Sequence, residues 1–176
     1  MKKFTVTILK KQLAKKSKED LINEISYLCQ KFPQVKDYFK AQSGDIRDVL
    51  KKHEDIIEKE FVHGKTRGLP KVRFSVARKA VTDFKKLTDD PELIAEIMFT
   101  YVESVSCFNN EFSPDTERFY SASEKMFEDA LKLLKKHGKL DGFKTGAYDI
   151  VANAPEGWGN KDSLKEIYED FYGEFI

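Results

Sequence analysis

Between Asp89 and Phe112 the apolar residues Leu93, Ile94, Ile97, Met98, Tyr101, Val102, Val105 and Phe108 recur at steps of three and four, with Glu92, Glu96 and Glu103 on the other side. That spacing follows the turn of an α-helix and conflicts with the two-residue repeat of a strand. Asp89-Asp90-Pro91-Glu92 marks its start, because proline loses no hydrogen bond at the first helical position and acids complement the amino-terminal dipole. A long helix with so wide an apolar side has to be covered by other helices, and the rest of the chain supplies them.

The same periodicity recurs on both sides. Thr7 is placed to cap a short helix through Ala14, although Phe4-Thr5-Val6-Thr7-Ile8 alternates as a strand would. Ser17-Lys18-Glu19-Asp20 reads as a variant capping box opening a helix with Leu21, Ile25, Leu28 and Phe32 on one face. Pro33 begins a third helix, and Asp45 is positioned to cap a fourth whose stripe is Ile46, Val49, Leu50, His53, Ile57 and Phe61. After the Gly-rich loop 63–70, a helix over 71–87 carries Val72, Val76, Ala77, Ala80, Val81, Phe84 and Leu87 inward.

Downstream, the pattern predicts a helix from Asp115 to His137, ended by Gly138, and two more near Asp141–Ala154 and Ser163–Tyr172, the last opened by Ser163 and Glu166. The expected fold is all-α: a compact helical bundle or short helical-repeat-like array of about seven to nine helices. With 176 residues, one domain is expected over 1–176. Its parts are N-terminal helices at 7–62, the loop 63–70 and C-terminal helices at 71–173.

Charge is segregated along the chain although the net value is only +1. Residues 1–18 hold seven lysines and no acid, residues 63–87 hold eight Lys or Arg against Asp83, and residues 89–130 hold eleven acids against Arg118 and Lys125. Along the 71–87 helix, Lys71, Arg78, Lys79, Lys85 and Lys86 form a cationic strip with no acid in it, opposite the apolar arc. Arg73 breaks the pattern by projecting from the apolar arc itself. A guanidinium there needs a carboxylate or several carbonyls, either a structural ion pair or, alternatively, an anionic ligand in a pocket.

Catalytic signatures are missing. There is no HExxH, CxxC, GxSxG or GxGxxG, and Gly64-Lys65-Thr66 lacks the earlier glycine and the strand of a phosphate-binding loop. His53, His63 and His137 do not combine with Cys29 or Cys107 at metal-ligand spacing, so no metal, cofactor or catalytic residue is expected. Glu111, after Asn109 and Asn110 at a helix end, is the most suggestive polar cluster and a candidate pocket residue beside Arg73. Trp158, between Gly157 and Gly159, is expected to fold back as a lid over a small core, with an exposed anchor for a partner as the alternative.

Two cysteines argue for a reducing compartment, and no apolar run approaches the roughly 18 residues that span a bilayer. The basic amino terminus lacks the apolar region of a leader. A cytoplasmic protein with no membrane contact is therefore expected.

LKKQLAKKSKEDLINEISYLCQKFPQVKDYF, VRFSVARKAVTDFKKLTDDPELIAEIMFTYVE and GWGNKDSLKEIYEDF together resemble a bacterial family of unknown function, made of small, all-helical cytoplasmic proteins with no assigned activity. The resemblance implies no catalytic or binding residue. The N-terminal stretch is also similar to segments of helical-repeat proteins, which implies stacked helix pairs presenting a surface. The function expected is that of a non-enzymatic interaction or adaptor protein with a protein partner. Lys71, Arg78, Lys79, Lys85, Lys86 and Trp158 are its contact residues. Nucleic-acid binding through the same strip is the first alternative, and an enzyme with a pocket gathering Arg73 with Glu103 or Glu111 is the second.

Overall fold

The computed structural model describes residues 3–175, and among them nine α-helices and two single 3₁₀ turns account for all the regular structure. The chain divides into two compact units, Met1–Ile46 and Arg47–Ile176. The all-α expectation holds. The boundary falls after Ile46, the first residue of the fourth helix.

The smaller unit contains α1 (Val6–Leu13), α2 (Lys18–Lys31) and α3 (Pro33–Gln42). The strand-like alternation at Phe4–Ile8 resolves as helix, capped by Thr5 and not Thr7: its hydroxyl accepts from the Ile8 N–H at 3.3 Å. The capping box at Ser17 forms as predicted, the Asp20 N–H donating to Ser17 Oγ at 3.0 Å and the Ser17 N–H to the Asp20 carboxylate. None of the apolar side chains described in these three helices is fully buried. Phe4, Ile22, Tyr27, Phe32, Tyr38 and Phe39 all stay exposed.

In the larger unit, α4 (Ile46–Phe61), α5 (Phe74–Phe84), α6 (Pro91–Phe112), α7 (Arg118–Lys136), α8 (Lys144–Ala152) and α9 (Asn160–Tyr172) follow in order. Asp90 caps α6 through the Glu92 and Leu93 N–H groups. Helix α6 is the centre: Ala95, Phe99, Ser104, Ser106 and Asn109 are buried along with its predicted apolar side. It is covered on more faces than an amphipathic stripe requires.

An aromatic cluster joins the first half of this unit. Phe61 lies 4.9 Å from Phe74 and 6.1 Å from Tyr101, and Phe119 lies 5.1 Å from Phe74 and 5.5 Å from Phe108, ring centroid to ring centroid. Such edge and stacked pairs add to the burial of the rings themselves. His53 belongs to this structural set, its Nδ1 standing 3.0 Å from the Ala80 carbonyl oxygen and its ring beside Phe84.

The helix expected over 71–87 begins three residues late, at Phe74, for an identifiable reason. Glu60, 3 % exposed at the end of α4, takes hold of the two residues before Phe74. Its carbonyl accepts from the Val72 N–H at 2.8 Å. Its carboxylate accepts from the Arg73 N–H at 3.1 Å, Nε at 2.9 Å and Nη2 at 2.6 Å. Val72 is held at φ +56°, a conformation that a β-branched residue rarely adopts. Arg73 consequently sits ahead of α5 in an ion pair, not on its apolar arc.

The final helix departs from expectation in the other direction. It starts at Asn160, not Ser163, so the capping box with Glu166 gives way to tertiary contacts: the buried Asn160 amide donates to the Tyr120 carbonyl at 3.1 Å and to Glu124 Oε1 at 2.9 Å. Just before it, a Cβ on Gly157 would stand 2.9 Å from Tyr120 Oη. Tyr120 is itself buried and tied to the Pro114 carbonyl at 3.2 Å.

Arg73 holds the Glu60 carboxyl below the usual carboxylate range, outweighing the opposing effect of burial. A depressed folded value means that this stability is present above the ordinary value of about 4.3 and lost as pH falls through the lower folded one. Glu60→Gln should therefore lower the melting temperature at pH 7, with the deficit shrinking in thermal melts taken below about pH 4. Gly157→Ala should destabilise by about 1–3 kcal/mol in denaturant titrations, the usual range for overpacking a filled site.

Candidate functional site

Two charged surfaces of the larger unit qualify as candidate sites. The first is the outer face of α5. Lys79 and Lys86 both reach Asp83, Lys86 at 2.8 Å, and these contacts hold the Asp83 carboxyl below its ordinary range. The strip read from sequence as free of acid thus contains one. Four cations against one carboxylate still leave a net +3 over Arg78, Lys79, Asp83, Lys85 and Lys86.

Arg78 lies over the Phe74 ring at 6.0 Å, while Lys85 forms no ion pair among the described residues. Lys71 stands on the irregular segment before α5, outside the helix that was expected to carry it. The opposite face of α5, Phe74, Ala77, Ala80, Val81 and Phe84, is buried. The cations are therefore mounted on a helix that the core holds in place.

The second surface is a cleft of about 560 Å³ lined by side chains of α6 and α8 with the residue after α8: Glu103, Ser106, Cys107, Glu111, Asp149 and Asn153 among them. A smaller hollow of about 250 Å³, bordered by Glu54 and Glu58 of α4 and Thr100 of α6, shares Glu103 and Cys107 with it. Several of these groups are internally engaged. Thr100 donates to Glu54 at 3.0 Å, Lys51 and Lys65 reach Glu58, and His63 Nδ1 is 2.7 Å from Glu111. Glu103 and Asp149 have no ion-pair partner among the described residues.

Crowded by protein atoms although open to the cleft, the Glu103 carboxyl is pushed above its usual range by burial, and the charges of Glu54, Asp149 and Glu58 add to this. Burial likewise raises Glu54, against the hydrogen bond from Thr100. The Cys107 thiol is pushed up by burial and by Glu111, which keeps it protonated at neutral pH and a poor nucleophile.

Of the residues singled out in sequence, Glu111 borders the cleft and Arg73 does not, since Arg73 is bound to Glu60. The two are not brought together. Trp158 is 57 % exposed at φ +55°, so it is not the lid over a core that was expected. Glu103, also named from sequence, borders the cleft with Glu111, whereas Asp149 emerges only from the packing of α6 with α8. Among the described residues no group of His, Cys, Asp and Glu is arranged to hold a metal ion, and no helix is long and apolar enough to cross a membrane.

The fold and its surfaces define an all-α protein with segregated charge. The chain belongs to a family of unknown function, DUF6155, whose sequence model matches residues 4–172. No curated protein and no solved structure matches it.

A carboxyl raised in the folded state weakens the fold as pH climbs through its folded value, because the folded chain there binds more protons than the unfolded one. Glu103→Gln should accordingly raise the melting temperature at pH 7 and have no effect below about pH 4, where the native carboxyl is already protonated.

Proposed function

We propose that this protein is a non-enzymatic helical interaction protein of the cytoplasm that docks an acidic surface of a protein partner against the outer face of α5. The single observation behind the reading is a net +3 on one solvent face of a helix whose other face is fixed in the core. Fixed charges of one sign steer an oppositely charged partner and need little ordering on binding. Lys71, Arg78, Lys79, Lys85 and Lys86 are its contact residues, with Trp158 as an exposed aromatic anchor of the kind that interfaces favour.

The smaller unit adds support. Residues 1–46 carry ten lysines against five acids, and their apolar side chains are left without a buried core. Uncovered apolar surface is a feature of interaction sites.

Nucleic-acid binding is the second reading, favoured by the exposed Phe4, Tyr27, Phe32 and Tyr38 among those lysines, which could stack on bases while the cations meet phosphates. Fluorescence anisotropy with labelled poly-glutamate and with single-stranded DNA separates the two. In the first reading, poly-glutamate binds and replacing Arg78, Lys79, Lys85 and Lys86 by Glu weakens it at least about tenfold, since each lost contact removes a share of a salt-dependent affinity. Unchanged affinity in the variant, with native circular dichroism, contradicts a role for α5. DNA bound more tightly than poly-glutamate at equal salt selects the second reading.

A further inference from the structure

The helices of the smaller unit carry apolar stripes with no core beneath them. Among its described residues, α1 and α2 bury no side chain completely, and α3 buries only Asp37. On α1, Val6, Leu9 and Leu13 share one side by helical spacing, with Phe4 just ahead of them; Phe4 is 70 % and Val6 66 % exposed. On α2, Ile22 and Ile25 lie on a stripe that runs on to Phe32, and all three remain exposed. Each helix therefore presents an apolar side that its own unit leaves open.

Lysines stand on these same sides. Lys10 follows Val6 by four residues and Lys18 precedes Ile22 by four, so each lies one turn along its stripe. Lys10, Lys11, Lys15 and Lys18 form no ion pair among the described residues, while Lys16 reaches Glu24. With seven lysines and no acid in residues 1–18, the complementary partner is anionic.

The kind of apolar residue decides among anionic partners. Bases stack on aromatic rings, whereas Val6, Ile22 and Ile25 are aliphatic. The cores of protein interfaces are poor in lysine, and here lysine stands on the stripes themselves. An anionic bilayer surface suits both groups. Acyl chains accept the apolar side of a helix lying in the interface, and headgroup phosphates attract ammonium groups whose stems stretch along apolar surface. No described helix is long and apolar enough to cross a bilayer, so the contact is with its surface alone.

We infer that the smaller unit docks on an anionic lipid surface through the apolar stripes of α1 and α2, with Lys10, Lys11, Lys15 and Lys18 meeting headgroup phosphates. It departs from the expectation of no membrane contact, which rested on the lack of a spanning run. The α5 face plays no part in it.

Co-sedimentation of the full chain with vesicles tests this, using phosphatidylcholine alone and phosphatidylcholine with about one-third phosphatidylglycerol. Binding to the anionic vesicles is expected, at least about tenfold tighter than to neutral ones and weakened by salt. Val6→Ser combined with Ile22→Ser and Ile25→Ser should weaken it at least about tenfold, because that aliphatic surface no longer leaves water. Replacing Lys10, Lys11, Lys15 and Lys18 by Gln should do so to a similar degree. Circular dichroism confirms that each variant is folded, and Phe4→Ser with Val6→Ser serves if the triple variant is not. Equal binding to neutral vesicles, or no binding, overturns the inference. So does binding indifferent to the aliphatic changes, which marks plain electrostatic adsorption. Tighter binding of single-stranded DNA that those changes weaken, or a dimer in sedimentation velocity that they abolish, assigns the stripes to nucleic acid or to a second copy and overturns it as well.

Discussion

The placement of α5 in the larger unit depends on how Glu60 closes the end of α4. One buried residue accepts four hydrogen bonds, one at its carbonyl and three at its carboxylate, all from Val72 and Arg73. Breaking a buried, hydrogen-bonded pair from one side leaves the other group's charge uncompensated, which is why such junctions resist slippage. The grip holds Val72 in its left-handed conformation, sets Phe74 as the first residue of α5 and brings Phe74 against Phe61. Had α5 begun at Lys71, its periodicity would have turned Arg73 into the core. The ion pair removes that conflict, leaving the apolar face inward and Arg78, Lys79, Lys85 and Lys86 outward.

How much of this was legible in the sequence depended on the range of the interaction. Local signals were read correctly: Ser17 with Asp20, Pro33, Pro91 behind Asp90, and Gly138 all mark helix ends through contacts within a few residues. The inward faces of α4 and α6 followed from periodicity. The α5 start was not legible, because its determinant lies thirteen residues upstream. The α9 start was missed for the same reason, since Asn160 is fixed by a carbonyl and a carboxylate of α7. Phe4–Ile8 alternates like a strand, but Thr5 caps it as helix.

The sites show the same division. Periodicity put the α5 cations on one face, yet it did not reveal that Asp83 sits between Lys79 and Lys86. Glu111 and Glu103 were singled out and do border a cleft, whereas Glu54 and Asp149, which share hollows with Glu103, carried no local mark. A pattern of charged residues every few positions is common on any solvated helix. Only the approach of α4 and α8 to α6 turned these particular acids into neighbours.

Amide hydrogen exchange at Val72 and Arg73 tests the Glu60 junction most directly, since both N–H groups donate to that one residue. The account predicts that these two amides, although outside any helix, are protected to the same level as the buried amides of α6 and exchange with them. Exchange at the rate of the exposed 63–70 loop would contradict it, and would remove the reason for treating α5 as a fixed platform.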